Sequence, residues 1–167
     1  EALTSDTYLE PFRLSLVVGV TVAILAAAIG TAAALALTRF RVPGGAAIQA
    51  LLMSPLTIPT IILAIGALSI ASLTIGSPNV GVLIASRVVS AIPYVRRTVT
   101  GVMTRADHFT EEAARTLGAG TWNRYRLVVL PIARPGIAAG AFFAFNISFD
   151  DAVIALASAA PRRVAAP

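Results

Sequence analysis

The sequence predicts an all-α fold, a polytopic bundle of transmembrane helices, and two observations lead to that prediction. The first is composition: of 167 residues, 57% are hydrophobic and only 13% are charged, and the mean hydropathy is +0.83. The second is arrangement, because long runs without any charged side chain alternate with segments that carry Arg. A soluble domain carries about a quarter charged residues. A chain this apolar would expose too much apolar surface in water, so the bilayer is the predicted solvent.

We expect a single membrane domain over residues 1–167, with four spans, at residues 14–38, 46–72, 80–95 and 136–160. The first span carries no charge between Arg13 and Arg39, and as a helix it measures about 37 Å, enough to cross a hydrocarbon core of about 30 Å. Small residues recur along it at three- and four-residue spacing, which is typical of close helix packing in lipid but also of an ordinary Ala-rich helix. They are Gly19, Ala23, Ala27, Gly30 and Ala34.

Two of the other spans carry residues that disturb an apolar helix. Pro55 and Pro59 lie in the first half of the second span and should kink or locally break it. Interrupted helices often line transport pathways, although many such prolines serve packing alone. Arg87 lies inside the third span. It is a pathway residue, a partner for an acid on another chain, or an Arg whose head snorkels to the interface.

The distribution of charge predicts the orientation of the spans. The turn with Arg39 and Arg41, and the segment 96–134, which holds seven Arg against three acids, should both be cytoplasmic. The acidic N-terminal residues then lie outside. We expect a multi-pass membrane localisation, with the lipid bilayer itself as one partner.

Several functional classes find no support in the sequence. The net charge is +5, but no basic stripe is interleaved with stacking aromatic residues, so we expect no nucleic-acid partner. There is no Cys and only one His, His108, so neither a thiolate site nor a His cluster for a metal can form within this chain. No Gly-rich phosphate loop with a Lys is present. We therefore expect no catalytic residues, no cofactor and no site of ATP hydrolysis within this chain.

The polar segment between the last two spans carries a spaced motif. Glu112-Ala113-Ala114 is followed by three residues, then Gly118, then nine residues, then Val128-Val129-Leu130-Pro131. We expect two short helices here. Thr110 should cap the first and Gly118 should end it with a positive φ. Thr121 should cap the second, over residues 122–130, and Pro131 should punctuate entry to the next span.

Helices this short need a surface to lie on, either a groove on a partner or the lipid headgroups. The full spacing resembles the EAA loop of bacterial ABC-importer permeases, and residues 12–158 resemble the spermidine/putrescine branch of that family. The resemblance implies an inner-membrane permease subunit whose loop fits a groove on an ATPase. The residues that it assigns to docking are Glu111, Glu112, Ala113, Ala114, Leu117, Gly118, Leu130 and Pro131.

The same resemblance implies partners and a substrate. The partners are ATPase subunits, a second permease subunit and an external solute-binding protein. The substrate is a polyamine, with ferric iron, sulfate or an amino-acid-like solute as alternatives. Intramembrane acids would offset the desolvation of a polycation, unless they lie at the external mouth or one pairs with Arg87. The candidate path residues are Asp150, Asp151, Asn146 and Arg87.

Other segments support the resemblance, and one difference stands against it. The similar segments are Leu37-Thr38-Arg39-Phe40-Arg41-Val42-Pro43-Gly44, Met53-Ser54-Pro55-Leu56-Thr57-Ile58-Pro59, Ile92-Pro93-Tyr94-Val95-Arg96-Arg97-Thr98-Val99 and Ser148-Phe149-Asp150-Asp151. The family usually has six spans, and we expect four here, without the first and the last. A truncated membrane fragment that does not transport is therefore an alternative.

Overall fold

The computed structural model describes the backbone of residues 6–40, 42–74, 80–106 and 108–159, and the regular structure in these ranges is helical throughout. The predicted all-α class is confirmed. The helices are α1 (Asp6–Arg39), α2 (Gly45–Met53), α3 (Thr60–Thr74), α4 (Val80–Arg105), α5 (His108–Thr116), α6 (Thr121–Arg124) and α7 (Leu130–Ala159).

Three long helices, α1, α4 and α7, pack pairwise against one another and form the core. Two glycines allow their close approach. A Cβ at Gly30 on α1 would lie 2.7 Å from the Cβ of Val95 on α4, and a Cβ at Gly140 on α7 would lie 2.7 Å from the Cα of Val95. Val95 is fully buried between them. Small residues therefore let three backbones converge on one side chain, as the spacing of small residues on the first span predicted.

Among the described residues, two helical segments are long and apolar enough to cross a bilayer: Phe12–Arg39, with mean hydropathy 2.3, and Thr121–Asp150, with mean hydropathy 1.7. A third is a bent pair, Gly45–Leu56 and Ile61–Ala67, whose axes differ by 101°. The break falls at the two prolines of the predicted second span. Pro55 lies in a 3₁₀ turn (Ser54–Leu56), and Pro59 precedes α3, because neither residue can donate a helical hydrogen bond.

Helix α4 differs in extent from the predicted third span. It runs unbroken through Pro93 to Arg105, ten residues past the predicted end at residue 95. It is not among the segments apolar enough to cross the bilayer by length and composition. Two of its charged groups face protein, because Arg87 contacts α7 and Arg96 is buried. Packing between α1 and α7 thus shelters charges that an isolated helix would expose to lipid.

Candidate functional site

The first half of the motif segment is helix α5, which presents an acidic and apolar surface. Glu112 and Ala113 are exposed, and Leu117, just after the helix, is 87% exposed. Phe109 in the first turn is 76% exposed. Helix α5 begins at His108, so Thr110 lies within its first turn, and the prediction that Thr110 caps the helix is wrong. A helix capped by Thr110 would begin at residue 111, so α5 begins three residues earlier than predicted.

Gly118 ends α5 as the sequence predicted. Its φ is +81°, in the left-handed region that favours glycine. The N–H of Ala119 donates to the carbonyl of Ala114 at 3.0 Å, and the N–H of Gly118 donates to the carbonyl of Arg115 at 3.1 Å. This pair of bonds is the Schellman motif, which satisfies the last carbonyls of a helix and reverses the chain direction.

The second half of the segment is one continuous helix that enters the bundle. Gly120 precedes it in extended conformation, with φ −61° and ψ 159°, so Gly120 and not Thr121 is the N-cap residue. Helix α6 passes through a π-helical turn (Tyr125–Val129), in which the N–H of Leu130 donates to the carbonyl of Tyr125. Pro131 lies in the first turn of α7 and does not punctuate the chain, because this wider turn accommodates it.

Two exposed aromatic side chains extend the surface of α5, and the motif alone did not single them out. Trp122, at the start of α6, is 75% exposed, and Phe109 precedes the two acids. We call the exposed side chains of Phe109, Glu112, Leu117 and Trp122 the docking face. Their sequence signal was an aromatic residue inside an Arg-rich segment, which is unusual for a purely solvated loop.

The two adjacent acids of α5 have different surroundings. Glu112 is exposed. The Oε1 atom of Glu111 lies 2.5 Å from Nη2 of Arg39, at the end of α1, and these side chains are only 14% and 8% exposed. Next to this ion pair, the ring of Phe40 stacks on Tyr125, with centroids 6.3 Å apart and an interplanar angle of 7°. The structure thus joins Glu111 to α1 within the chain.

Leu130 and Pro131, the last residues assigned to docking, lie at the bundle. Leu130 lines a groove of about 360 Å³ between α1 and α7, and Pro131 is half-buried. The other residues that line this groove are Ala27, Ala28, Thr31, Ala32, Leu35 and Ile137. The structure therefore separates Leu130 from the docking face.

The candidate path residues lie at the other end of the bundle, and the structure brings two helices together there. Arg87 on α4 donates from Nη1 to the carbonyl of Ser148 on α7 and also lies 3.3 Å from the Ser148 hydroxyl. Asn146 donates to the carbonyl of Phe142 at 3.2 Å, within its own helix. Asp150 is exposed, and the side chain of Asp151 lies outside the described residues.

Aromatic rings pack around this end of the bundle. Phe145 and Phe149 on α7 are stacked with centroids 5.5 Å apart, and Phe12 meets Phe149 edge-on at 5.9 Å. Phe145 also lies over Gly19 on α1. In the part of the chain that the structure describes, no group of three His, Cys, Asp or Glu residues could hold a metal ion.

Comparison with known proteins gives a consistent result. Residues 14–161 match the family model for the binding-protein-dependent transport system inner membrane component. The chain is 32% identical over 152 residues to the spermidine/putrescine transport system permease protein PotC of Escherichia coli K12, which covers 91% of this chain and 58% of that protein.

Two further relatives from the same organism are named for other solutes. The chain is 32% identical over 162 residues to the putrescine transport system permease protein PotI, covering 93% of the chain and 58% of the relative. It is 30% identical over 167 aligned residues to the sulfate transport system permease protein CysT, covering 90% of the chain and 59% of the relative. The chain thus spans somewhat more than half the length of the relatives it matches. It belongs to the family of inner membrane components of binding-protein-dependent transport systems.

Proposed function

We propose that this chain forms the core of a permease subunit in an ATP-driven, binding-protein-dependent importer, and that its docking face binds the ATPase. The observation that carries the proposal is the exposed acidic and apolar face of α5, ended by the Schellman turn at Gly118. An exposed short helix with apolar side chains and one acid has the shape for a groove and the charge for orientation.

The surroundings of α5 support a role in coupling. Helix α6 continues through the π-helical turn into α7, so a force on the loop acts directly on a membrane helix. On this proposal ATP is hydrolysed by a separate subunit, and closure of two ATPases displaces two such loops. A second permease subunit completes the pathway, and an external binding protein delivers the solute. The loop lies in the cytoplasm, and the N-terminal end of α1 lies outside.

We propose a polyamine as the solute. Two of the relatives are named for spermidine or putrescine, and the end of the bundle remote from the docking face carries the exposed carboxylate of Asp150. A carboxylate there would offset the desolvation of a polycation. Sulfate is the second candidate, because one relative is named for it and the guanidinium of Arg87 is bound to Ser148 of α7 at the same end of the bundle.

The deciding experiment uses the full-length subunit assembled with its neighbouring permease, ATPase and binding protein in liposomes. We expect ATP-dependent uptake of labelled spermidine or putrescine. Uptake of sulfate alone would support the importer but identify sulfate, and not a polyamine, as its solute.

A second arm tests docking directly. Changing Glu112→Arg should abolish co-purification of the ATPase, because it reverses the one exposed acid of the docking face. The control is Arg97→Gln, which changes an exposed charge on α4, outside the docking face. ATPase retention in the Glu112 variant would reject the docking face.

A further inference from the structure

The adjacent acids Glu111 and Glu112 differ in their surroundings: Glu111 makes a contact within the chain, and Glu112 is exposed. The Glu111 carboxylate lies 2.5 Å from the Arg39 guanidinium, and both side chains are largely removed from solvent. Glu112 follows it directly and is exposed. Successive residues on a helix point about 100° apart, so a single helix can offer one acid to a partner and hold the next against its own bundle.

A second contact fixes the same end of α1 to the other half of the loop. Phe40, the residue after Arg39, stacks on Tyr125 in the π-helical turn, and the guanidinium of Arg124 lies 5.7 Å from the centre of the Tyr125 ring. The cytoplasmic end of α1 is thus held at two points, one on α5 and one on the start of the α6–α7 helix.

Helix α1 is suited to carry a displacement away from this point. It is a single helix over Asp6–Arg39, and it packs on both α4 and α7 along its length. At its far end Phe12 meets Phe149 beside the candidate path residues. Helix α5 packs on α6 and the π-helical turn.

We propose that the Arg39–Glu111 ion pair is a latch that couples movement of the docking helix to α1. This inference rests on the proposed function, since it requires an ATPase on α5. In it Arg39 and Glu111 are positioning residues, and neither contacts the ATPase. Removing either side chain breaks the ion pair between α5 and α1, and the Arg39 variant leaves the poorly solvated carboxylate of Glu111 without that guanidinium. The docking face keeps its side chains in both variants.

The test measures solute uptake per ATP hydrolysed in the assembled full-length transporter in liposomes. Glu111→Gln and Arg39→Gln should each keep the ATPase bound and hydrolysing ATP. Both should lower the uptake per ATP by roughly 2- to 30-fold, the range in which changes at coupling positions usually act. The exchange Arg39→Glu with Glu111→Arg should recover much of the coupling, and Arg39→Lys should retain part of it.

Control variants distinguish the latch from the proposed docking of the ATPase. Glu112→Gln should instead weaken ATPase binding, and Arg97→Gln, at an exposed position on α4, should leave both ATPase binding and coupling intact. If Glu111→Gln releases the ATPase as Glu112→Gln does, Glu111 is a docking contact and the latch is wrong. Normal uptake per ATP in Glu111→Gln, or no recovery in a charge exchange that assembles normally, would also overturn it. Failure of the unmodified chain to bind any ATPase would overturn the proposed function, and the latch with it.

Discussion

The Schellman turn at Gly118 offers a prediction whose size can be worked out from the structure. Gly118 has a φ of +81°, and a Cβ built at this position would have no neighbouring atom within 4 Å. A substitution there therefore meets no steric clash, and its whole cost comes from the backbone conformation. A non-glycine residue in the left-handed region costs roughly 1–2 kcal/mol.

We expect Gly118→Ala to reduce the fraction of loops that hold the docking conformation. If the ATPase binds only that conformation, its apparent affinity falls by the same factor. At 1.4 kcal/mol for each tenfold change, a cost of 1–2 kcal/mol weakens binding about 5- to 30-fold. The melting temperature of the bundle should stay nearly unchanged, because the turn lies outside the α1, α4 and α7 core.

The assay is a titration of labelled ATPase against the full-length permease in lipid nanodiscs. Two matched variants isolate the cause. Gly120 also has no neighbour within 4 Å of a built Cβ, but its φ is −61°. Gly120→Ala therefore carries no penalty for a positive φ, only the smaller cost of Ala at an N-cap, and should weaken binding less than Gly118→Ala. Gly118→Asn should bind better than Gly118→Ala, since Asn tolerates positive φ. Equal affinities for Gly118→Ala and Gly120→Ala would refute the reasoning.

Three further outcomes follow from the bundle and its far end. Gly140→Ala should destabilise the bundle by about 1–3 kcal/mol and so lower its melting temperature in detergent, because the new Cβ would lie 2.7 Å from the α4 backbone. Gly66→Ala should be tolerated, since nothing lies within 4 Å of a Cβ built there. Equal melting temperatures of the two variants would contradict this. Arg87→Met should destabilise the bundle by about 1–3 kcal/mol, as a buried carbonyl on α7 loses its charged donor, and an unchanged melting curve would show that the contact contributes nothing. Asp150→Asn and Asp151→Asn should lower polyamine uptake while the complex still assembles, and full uptake in both would remove these acids from the path.

Features governed by local chemistry could be predicted from the sequence. Composition and uncharged runs predicted the helical class, because backbone groups in lipid must be satisfied within a helix. The break near Pro55 and Pro59 and the end of α5 at Gly118 were also predictable. Proline lacks a donor and glycine alone takes positive φ freely, whatever surrounds them.

Features governed by tertiary packing were not predictable in the same way. Thr110 and Thr121 carry the usual capping side chain, yet the chain enters each helix before them, and neither has the capping role. Helix α4 continues past its predicted end, since nothing in the following residues interrupts a helix and the bundle buries Arg96. The pairing of Glu111 with Arg39 joins residues far apart in the chain, and no local spacing encodes it.

The π-helical turn Tyr125–Val129 sets the rotational phase between the loop and the bundle. A π turn holds one residue more than an α turn, and one residue corresponds to about 100° of rotation around a helix axis. Converting this turn to α-helical geometry without removing a residue would rotate Trp122 by about that angle relative to Gly140, whereas deleting one residue from it would leave the two in nearly the same phase. The close-packed side of α7 and the exposed side of α6 are thus aligned by the wider turn, which absorbs one extra amino acid.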